Sequence, residues 1–301
     1  MIYTLTLNPA IDYVLRLPGA LTPGQIHRAK ESVCQFGGKG INVSNVLREL
    51  GQPSVALGFV AGFTGKALED ALAEMGQASN FIRLEEGMTR INVKIKGGEE
   101  TELNGPGPVI PPEAMAKLHR QLDDLQPGDA LVLSGSLPLG LGADTYAAIL
   151  SRLASRQVLT VLDSSGESLR LGLAHQPFLV KPNRQELEDL FGECLDSREK
   201  LLDAARQLQR LGARNVLISL AGDGAILLEA SGQVHQAACP QGSVVNSVGA
   251  GDSMVAGFLA GWLQTQNPVQ ALQLGIAAGS ATAFSLGLAT RQQILALLPQ
   301  I

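Results

Sequence analysis

From Ala130 onward the chain repeats one pattern: a short run of branched aliphatic residues, then a stretch whose apolar positions recur at helical spacing. Ala130–Leu133, Val158–Leu162, Phe178–Val180 and Val216–Leu220 read as strands, while 146–153 and 198–211 read as helices, the second stopped by Gly212. Strands joined through helices can pair side by side only as a parallel sheet, and the helices then cover both of its faces. The predicted class is α/β, doubly wound. The strands end in Ser134-Gly135-Ser136, Asp163-Ser164-Ser165-Gly166, Lys181-Pro182-Asn183-Arg184-Gln185-Glu186 and Ala221-Gly222-Asp223-Gly224. Polar residues gathered at the carboxyl ends of parallel strands predict one ligand crevice there. Ala221–Gly224 also separates two strands, Val216–Leu220 and Ala225–Leu228, and reads as a hairpin turn.

The amino-terminal third is less regular. Ile2–Leu7 reads as a strand stopped by Asn8-Pro9, with Asp12 at its end, and residues 13–36 read as short strands. Gly37-Gly38-Lys39-Gly40-Ile41-Asn42 then opens a helix with Val43, Val46, Leu47 and Leu50 on one face. The spacing is not that of a Walker A loop. Val55–Val60 and Lys66–Met75 supply a further strand and helix. Residues 89–103 alternate strictly around Gly97-Gly98, a two-residue hairpin turn, with Ile91, Val93 and Ile95 on one face and Arg90, Asn92 and Lys94 on the other. Such a hairpin serves either as a lid over an anionic substrate or as an edge with a solvated face. The Pro/Gly-rich stretch 104–112 returns the chain to the main body.

A second glycine loop, Val245–Ser253, leads into the apolar run Met254–Trp262. A helix that begins at a glycine turn points unpaired N–H groups and the positive end of its dipole outward, which makes an anion site. Asp252 places a carboxylate at that same spot. It is either a base beside a transferring phosphoryl group or a capping residue in the first turn. Behind the loop, Gly275, Ala277, Ala278, Gly279, Ser280 and Ala281 predict close helix packing.

The net charge of −5, with both signs interspersed, argues against nucleic acid or an anionic membrane as partner. Cys34, Cys194 and Cys239 stand far apart and in no metal-binding spacing, which suits a reducing cytoplasm. The four histidines are equally scattered. No apolar run is long enough to span a bilayer.

Two signatures carry a family resemblance: Gly37-Gly38-Lys39-Gly40-Ile41-Asn42-Val43 and Asn246-Ser247-Val248-Gly249-Ala250-Gly251-Asp252-Ser253-Met254. In this order and separation they resemble the ribokinase-like (PfkB) carbohydrate kinases over essentially the full chain. Thr6-Leu7-Asn8-Pro9-Ala10-Ile11-Asp12 is similar to the branch that acts on hexose phosphates. Thr89–Lys94 and 179–187 are similar to members that use ATP and Mg²⁺ to phosphorylate fructose 1-phosphate at its 6-hydroxyl. Tagatose 6-phosphate and fructose 6-phosphate are the alternative substrates, and a non-catalytic sugar-phosphate sensor is the alternative of another class.

The resemblance implies a single ribokinase-like α/β unit over residues 1–301, with a small β-sheet lid formed by about 12–36 and 88–104. It implies that Asp252 is the base, with the amides of Gly249, Ala250 and Gly251 as an anion hole. Asp12, Gly38, Lys39, Asn42, Arg90 and Asn92 would hold the sugar phosphate. Lys181, Asn183, Ser219, Leu220, Ala221, Gly222, Asp223, Gly224, Ser247 and Gly251 would hold ATP, and Asn183 with Glu186 would organise Mg²⁺ through water. Ala221 stands where the family usually has glycine, so its Cβ either crowds the phosphates or shifts the turn, with Gly222 supplying the freedom one residue later. The apolar hairpin face is expected to pair two chains into a homodimer, since an isolated hairpin rarely buries such a face alone.

Overall fold

The computed structural model describes Met1–Ile301. The chain begins β1 (Ile2–Thr6), β2 (Ala10–Arg16), β3 (Glu31–Gly37), α1 (Lys39–Glu49), β4 (Ser54–Ala61) and α2 (Gly62–Glu74). There follow β5 (Ala78–Ser79), β6 (Ile82–Leu84), β7 (Arg90–Lys96), β8 (Thr101–Asn104), α3 (Pro112–Asp123), β9 (Ala130–Ser134) and α4 (Thr145–Leu153). Next come β10 (Leu159–Asp163), α5 (Gly166–Leu173), β11 (Leu179–Val180), α6 (Arg184–Phe191), α7 (Arg198–Leu211) and β12 (Asn215–Ser219). The chain closes with β13 (Ala225–Leu228), β14 (Val234–Ala237), α8 (Ala250–Thr265), α9 (Pro268–Ala283) and α10 (Arg291–Leu297).

The main sheet has the order β14-β13-β12-β11-β10-β9-β1-β4-β5, with β6 paired to β4. Every pairing from β12 to β5 is parallel; β12–β13 and β13–β14 are antiparallel because short turns join them. Central strands are apolar on both sides because both sides are covered. In β9, Leu131 and Leu133 enter the core under α3–α7, whereas Ala130 and Val132 enter the core under α1, α8, α9 and α10. The small residues of α9 let it close on α8, where a Cβ on Gly257 would lie 2.4 Å from the carbonyl of Leu274. No helix is long and apolar enough to cross a membrane.

A second sheet, β3-β2-β7-β8, stands off the amino-terminal part of the main one. It starts at Ala10, so Asp12 lies inside β2 and not in the turn after β1. The Gly97-Gly98 connection is also longer than a two-residue turn. Ile95 pairs with Thr101, which leaves Lys96–Glu100 between paired positions, bridged by a Lys96–Glu100 ion pair at 3.3 Å. The two faces of β7 separate as the alternation predicts, but their exposure is inverted. Asn92 and Lys94 on the polar face are buried, while Ile91, Val93 and Ile95 are half-buried and Leu103 of β8 is exposed. The hairpin therefore turns its polar face inward.

Candidate functional site

The site is assembled from three parts of the fold, around the strand ends that carry Asp163 and Lys181, at the carboxyl edge of the main sheet. The first is the start of α1. Gly38 has φ +143, and a Cβ there would meet Thr6 Cγ2 at 2.6 Å, so only glycine lets the helix begin against β1. Thr6 Oγ1 accepts the amide of Ile41 and fixes the helix end. One turn in, Asn42 projects its amide across the molecule.

The second segment is the loop before α8. Gly249 occupies the N-cap with φ +81 and no side chain caps the helix. The amide of Ala250 donates to Ser247 O at 3.2 Å. Those of Gly249 and Gly251 find no backbone acceptor, so two of the three amides named from sequence are unengaged. Asp252 is buried at 6% exposure. Its Oδ2 accepts a hydrogen bond from Asn42 Nδ2 at 2.8 Å, so it does not cap its own helix. Burial pushes its carboxyl up to about 6, and the nearby charge of Asp163 pushes the same way. The Asn42 hydrogen bond, Lys39 and Lys181 oppose the shift.

Asp163, at the end of β10, is the residue sequence reasoning left without a role. It lies 3.3 Å from Lys181 Nζ and 3.8 Å from Lys39 Nζ, and it is 2% exposed. Its only sequence signal was its place at the end of a buried strand. Lys181 packs against the glycine loop, since a Cβ on Gly251 would sit 3.3 Å from its Nζ. Burial works against the charge on Lys181, but Asp163, Glu186 and Asp252 together hold its pKa above the ordinary lysine value.

The third segment is the inner face of the small sheet. Asp12 accepts from Asn92 Nδ2 at 2.8 Å and pairs with Lys94 at 3.1 Å. Arg90 donates from Nε to the carbonyl of Asn8 at 3.2 Å. Its pKa is lowered by burial, against a smaller upward pull from Asp12. Gly38, Lys39 and Arg90 line a cavity of about 520 Å³ with Asn8, Ser136 and Ser165. On the other side of Gly38, a cavity of about 370 Å³ is lined by Asp12, Asn42 and Val248. The two openings share Gly38; Asn42 lines the second, while Asp252, buried behind it, lines neither. A polyol that carries an anion would find carboxylate and amide groups at one end and two cations at the other.

Asn183 and Glu186 line neither cavity. They form a capping box on α6: Asn183 Oδ1 accepts from Glu186 N at 2.8 Å, and Glu186 Oε2 accepts from Asn183 N at 2.9 Å. Glu186 Oε1 stays outside that box, and Asp163 Oδ2 is buried without a hydrogen-bond partner. Hard oxygens of this kind fit Mg²⁺ held through its own water shell. Asn183 bridges to Ser219, so the turn after β12 lies beside it. In that turn Ala221, and not Gly222, takes the left-handed backbone, at φ +49. The turn keeps its register and Ala221 bears the strain; the freedom expected from Gly222 is unused. Ala221, Gly222, Asp223 and Ser247 are exposed, while Leu220 and Gly224 are buried.

Comparison with known proteins gives the family. The model of the pfkB family carbohydrate kinases matches residues 2–294. The chain is 45% identical to a 1-phosphofructokinase of Bacillus subtilis over 302 residues, covering 100% of this chain and 98% of that protein. It is 36% identical to a D-tagatose-1-phosphate kinase of Bacillus licheniformis, covering 96% and 94% of the two chains. Among solved structures it is similar to phosphofructokinase-2 from Escherichia coli in complex with substrates and products, with TM-score 0.93, 30% identity and coverage of 99% and 98%. On this evidence the chain belongs to the pfkB family of carbohydrate kinases.

Proposed function

We propose that the protein transfers the γ-phosphoryl group of ATP to the 6-hydroxyl of fructose 1-phosphate, giving fructose 1,6-bisphosphate and ADP. The observation that carries this reading is the buried carboxylate of Asp252, held by Asn42 2.8 Å away beside unengaged loop amides. Phosphoryl transfer is mainly positioning and charge stabilisation, and this arrangement supplies both. Asp252 takes the proton of the 6-hydroxyl as its oxygen attacks the γ-phosphorus, and the β–γ bridging oxygen leaves with ADP. The amides of Gly249 and Gly251 face the charge that develops on the transferred group. Asp12, Asn92, Gly38 and Asn42 orient the sugar, while Lys39 and Arg90 hold its resident phosphate, to which the planar guanidinium can bond twice.

ATP lies along Lys181, Asn183 and the turn Ser219–Gly224, with Ser247 on the loop side. Asn183 and the free oxygen of Glu186 would hold Mg²⁺ through water, and the ion would supply neutralisation of phosphate charge. The half-exposed apolar face of the small sheet supports a homodimer in which two such faces cover each other, with the sheets as lids. Two exposed free cysteines fit a reducing cytoplasm.

The test is an ADP-coupled assay of the purified chain with Mg²⁺, ATP and each of fructose 1-phosphate, tagatose 1-phosphate, tagatose 6-phosphate and fructose 6-phosphate. Fructose 1-phosphate should give the highest kcat/KM. The 36% identical tagatose-1-phosphate kinase supports a second reading, the same reaction on the C4 epimer. A higher kcat/KM for tagatose 1-phosphate would establish that reading in place of the first. Turnover with none of the four would overturn both.

A further inference from the structure

Lys94 is 8% exposed, an unusual place for an ammonium group on a sheet that stands away from the main core. It is buried because it has partners. Its Nζ lies 3.1 Å from Asp12 Oδ2 and 3.6 Å from Glu102 Oε1. The strand register explains the geometry. Asp12 of β2 stands opposite Asn92 of β7, and Lys94 stands opposite Glu102 of β8. Arg90, Asn92 and Lys94 alternate with Ile91 and Val93, so all three project to the inner face. Lys94 then reaches back across the ladder to the carboxylate next to its neighbour.

Both oxygens of Asp12 are thereby engaged, one by Asn92 Nδ2 and one by Lys94. Asn92 Oδ1, in contrast, is buried and accepts from nothing in the protein. A buried acceptor without a donor is costly, so it marks a place where a ligand donor is wanted. We propose that Lys94 is a positioning residue for the sugar: it fixes and neutralises Asp12, so that Asp12 and the free carbonyl of Asn92 accept sugar hydroxyls in a site that must also admit a phosphate dianion. The inference rests on the kinase reading above. An unpaired Asp12 would repel the resident phosphate, and it would be free to turn toward Arg90, whose charge that phosphate needs.

The test is steady-state kinetics with fructose 1-phosphate for Lys94→Met, Lys94→Arg, Asp12→Asn and the double variant. Lys94→Met should raise KM for the sugar phosphate about 10- to 100-fold, the range for loss of a charge-assisted bond. Its kcat and its KM for ATP should stay within about threefold of the unaltered chain. Lys94→Arg should recover most of the loss. In the Asp12→Asn background, Lys94→Met should add less than about threefold, because the residue acts through Asp12. An unchanged KM, a change confined to kcat or to ATP, or an undiminished penalty in the Asp12→Asn background would each overturn the proposal. Should Lys94→Met fail to fold, Lys94→Gln keeps a donor, one bond nearer the backbone, but not the charge, and it is judged by the same criteria. An unaltered chain inactive on all ketohexose phosphates would sink the kinase reading instead, so the two failures are distinct.

Discussion

Asp163 and Lys181 form an ion pair 3.3 Å long in which the side chains are only 2% and 5% exposed. The pair joins the ends of β10 and β11 directly beneath the glycine loop that carries Asp252. Its two charges act on Asp252 in opposite senses, the carboxylate raising the pKa and the ammonium lowering it. A buried pair of this kind adds little over an apolar replacement of both partners, but loss of one partner leaves a charge stranded.

Asp163→Asn should therefore destabilise the fold by about 3–5 kcal/mol, the range for breaking a buried pair. Urea denaturation followed by circular dichroism measures this. A loss below about 1 kcal/mol, typical of exposed pairs, would show that Lys181 is better solvated than its 5% exposure implies.

The base sets the pH dependence. With the Asp252 carboxyl pushed up to about 6, kcat/KM for the sugar phosphate should rise with pH through a midpoint near 6 and level off above it. The hydrogen bond from Asn42 favours the ionised form, so Asn42→Ala should move the midpoint upward. A rate profile that is flat from about pH 5 to 8 would contradict the assignment of the base.

Asp252→Asn should separate activity from stability. Turnover should fall by about 10²–10⁴, the usual contribution of a placed base. Stability should move the other way. The carboxyl is raised from 3.8 to about 6 on folding, so the stability it contributes is present below 3.8 and is lost as pH rises through about 6. The amide cannot ionise and escapes that loss. The variant should be more stable by up to about 3 kcal/mol at neutral pH, and the gain should vanish in acid. Denaturation at a series of pH values gives the curve, and equal stability of the two proteins throughout would count against the raised pKa.

Much of this was legible in the residues, for identifiable reasons. Strands such as Ala130–Ser134 and helices such as Arg198–Leu211 declare themselves because burial imposes a period on the side chains, and Gly212 at φ +132 marks the helix stop. The glycine loops are legible because close approach excludes a Cβ. Asp163 and Lys94 were not, since their roles depend on partners 18 and 82 residues away, at Lys181 and Asp12, whose registers no local pattern reports. The exposure of the β7 faces escaped for a similar reason. Alternation tells which residues share a face, but what covers that face is decided by the rest of the chain. Asn183 and Glu186 show the converse. Their spacing suits a capping box and a water-mediated cation equally, and the box that forms leaves Glu186 Oε1 outside it.

Ala221 offers the most direct test of the nucleotide turn. Its φ of +49 lies in the left-handed region, which costs a residue with a Cβ about 1–2 kcal/mol. Two donors hold the turn there, one within it and one from outside: Gly224 N–H and Cys239 Sγ both donate to the carbonyl of Ala221, at 3.2 and 3.1 Å. Ala221→Gly removes the strain but loosens the unfolded chain, which takes back about 0.4–1 kcal/mol. The net result should be a stabilisation of about 1 kcal/mol or less. Gly222 takes no left-handed φ and has open space around its Cα, so Gly222→Ala should also be tolerated. If the glycine at 222 were instead what rescues the turn, Gly222→Ala would be the damaging change and Ala221→Gly neutral. Measured stabilities of the two variants decide between these outcomes, and KM for ATP reports the same turn from the ligand side. Because the backbone is already in the conformation glycine prefers, Ala221→Gly should change that KM by less than about threefold. A tenfold tightening would mean that the methyl group itself obstructs the phosphates.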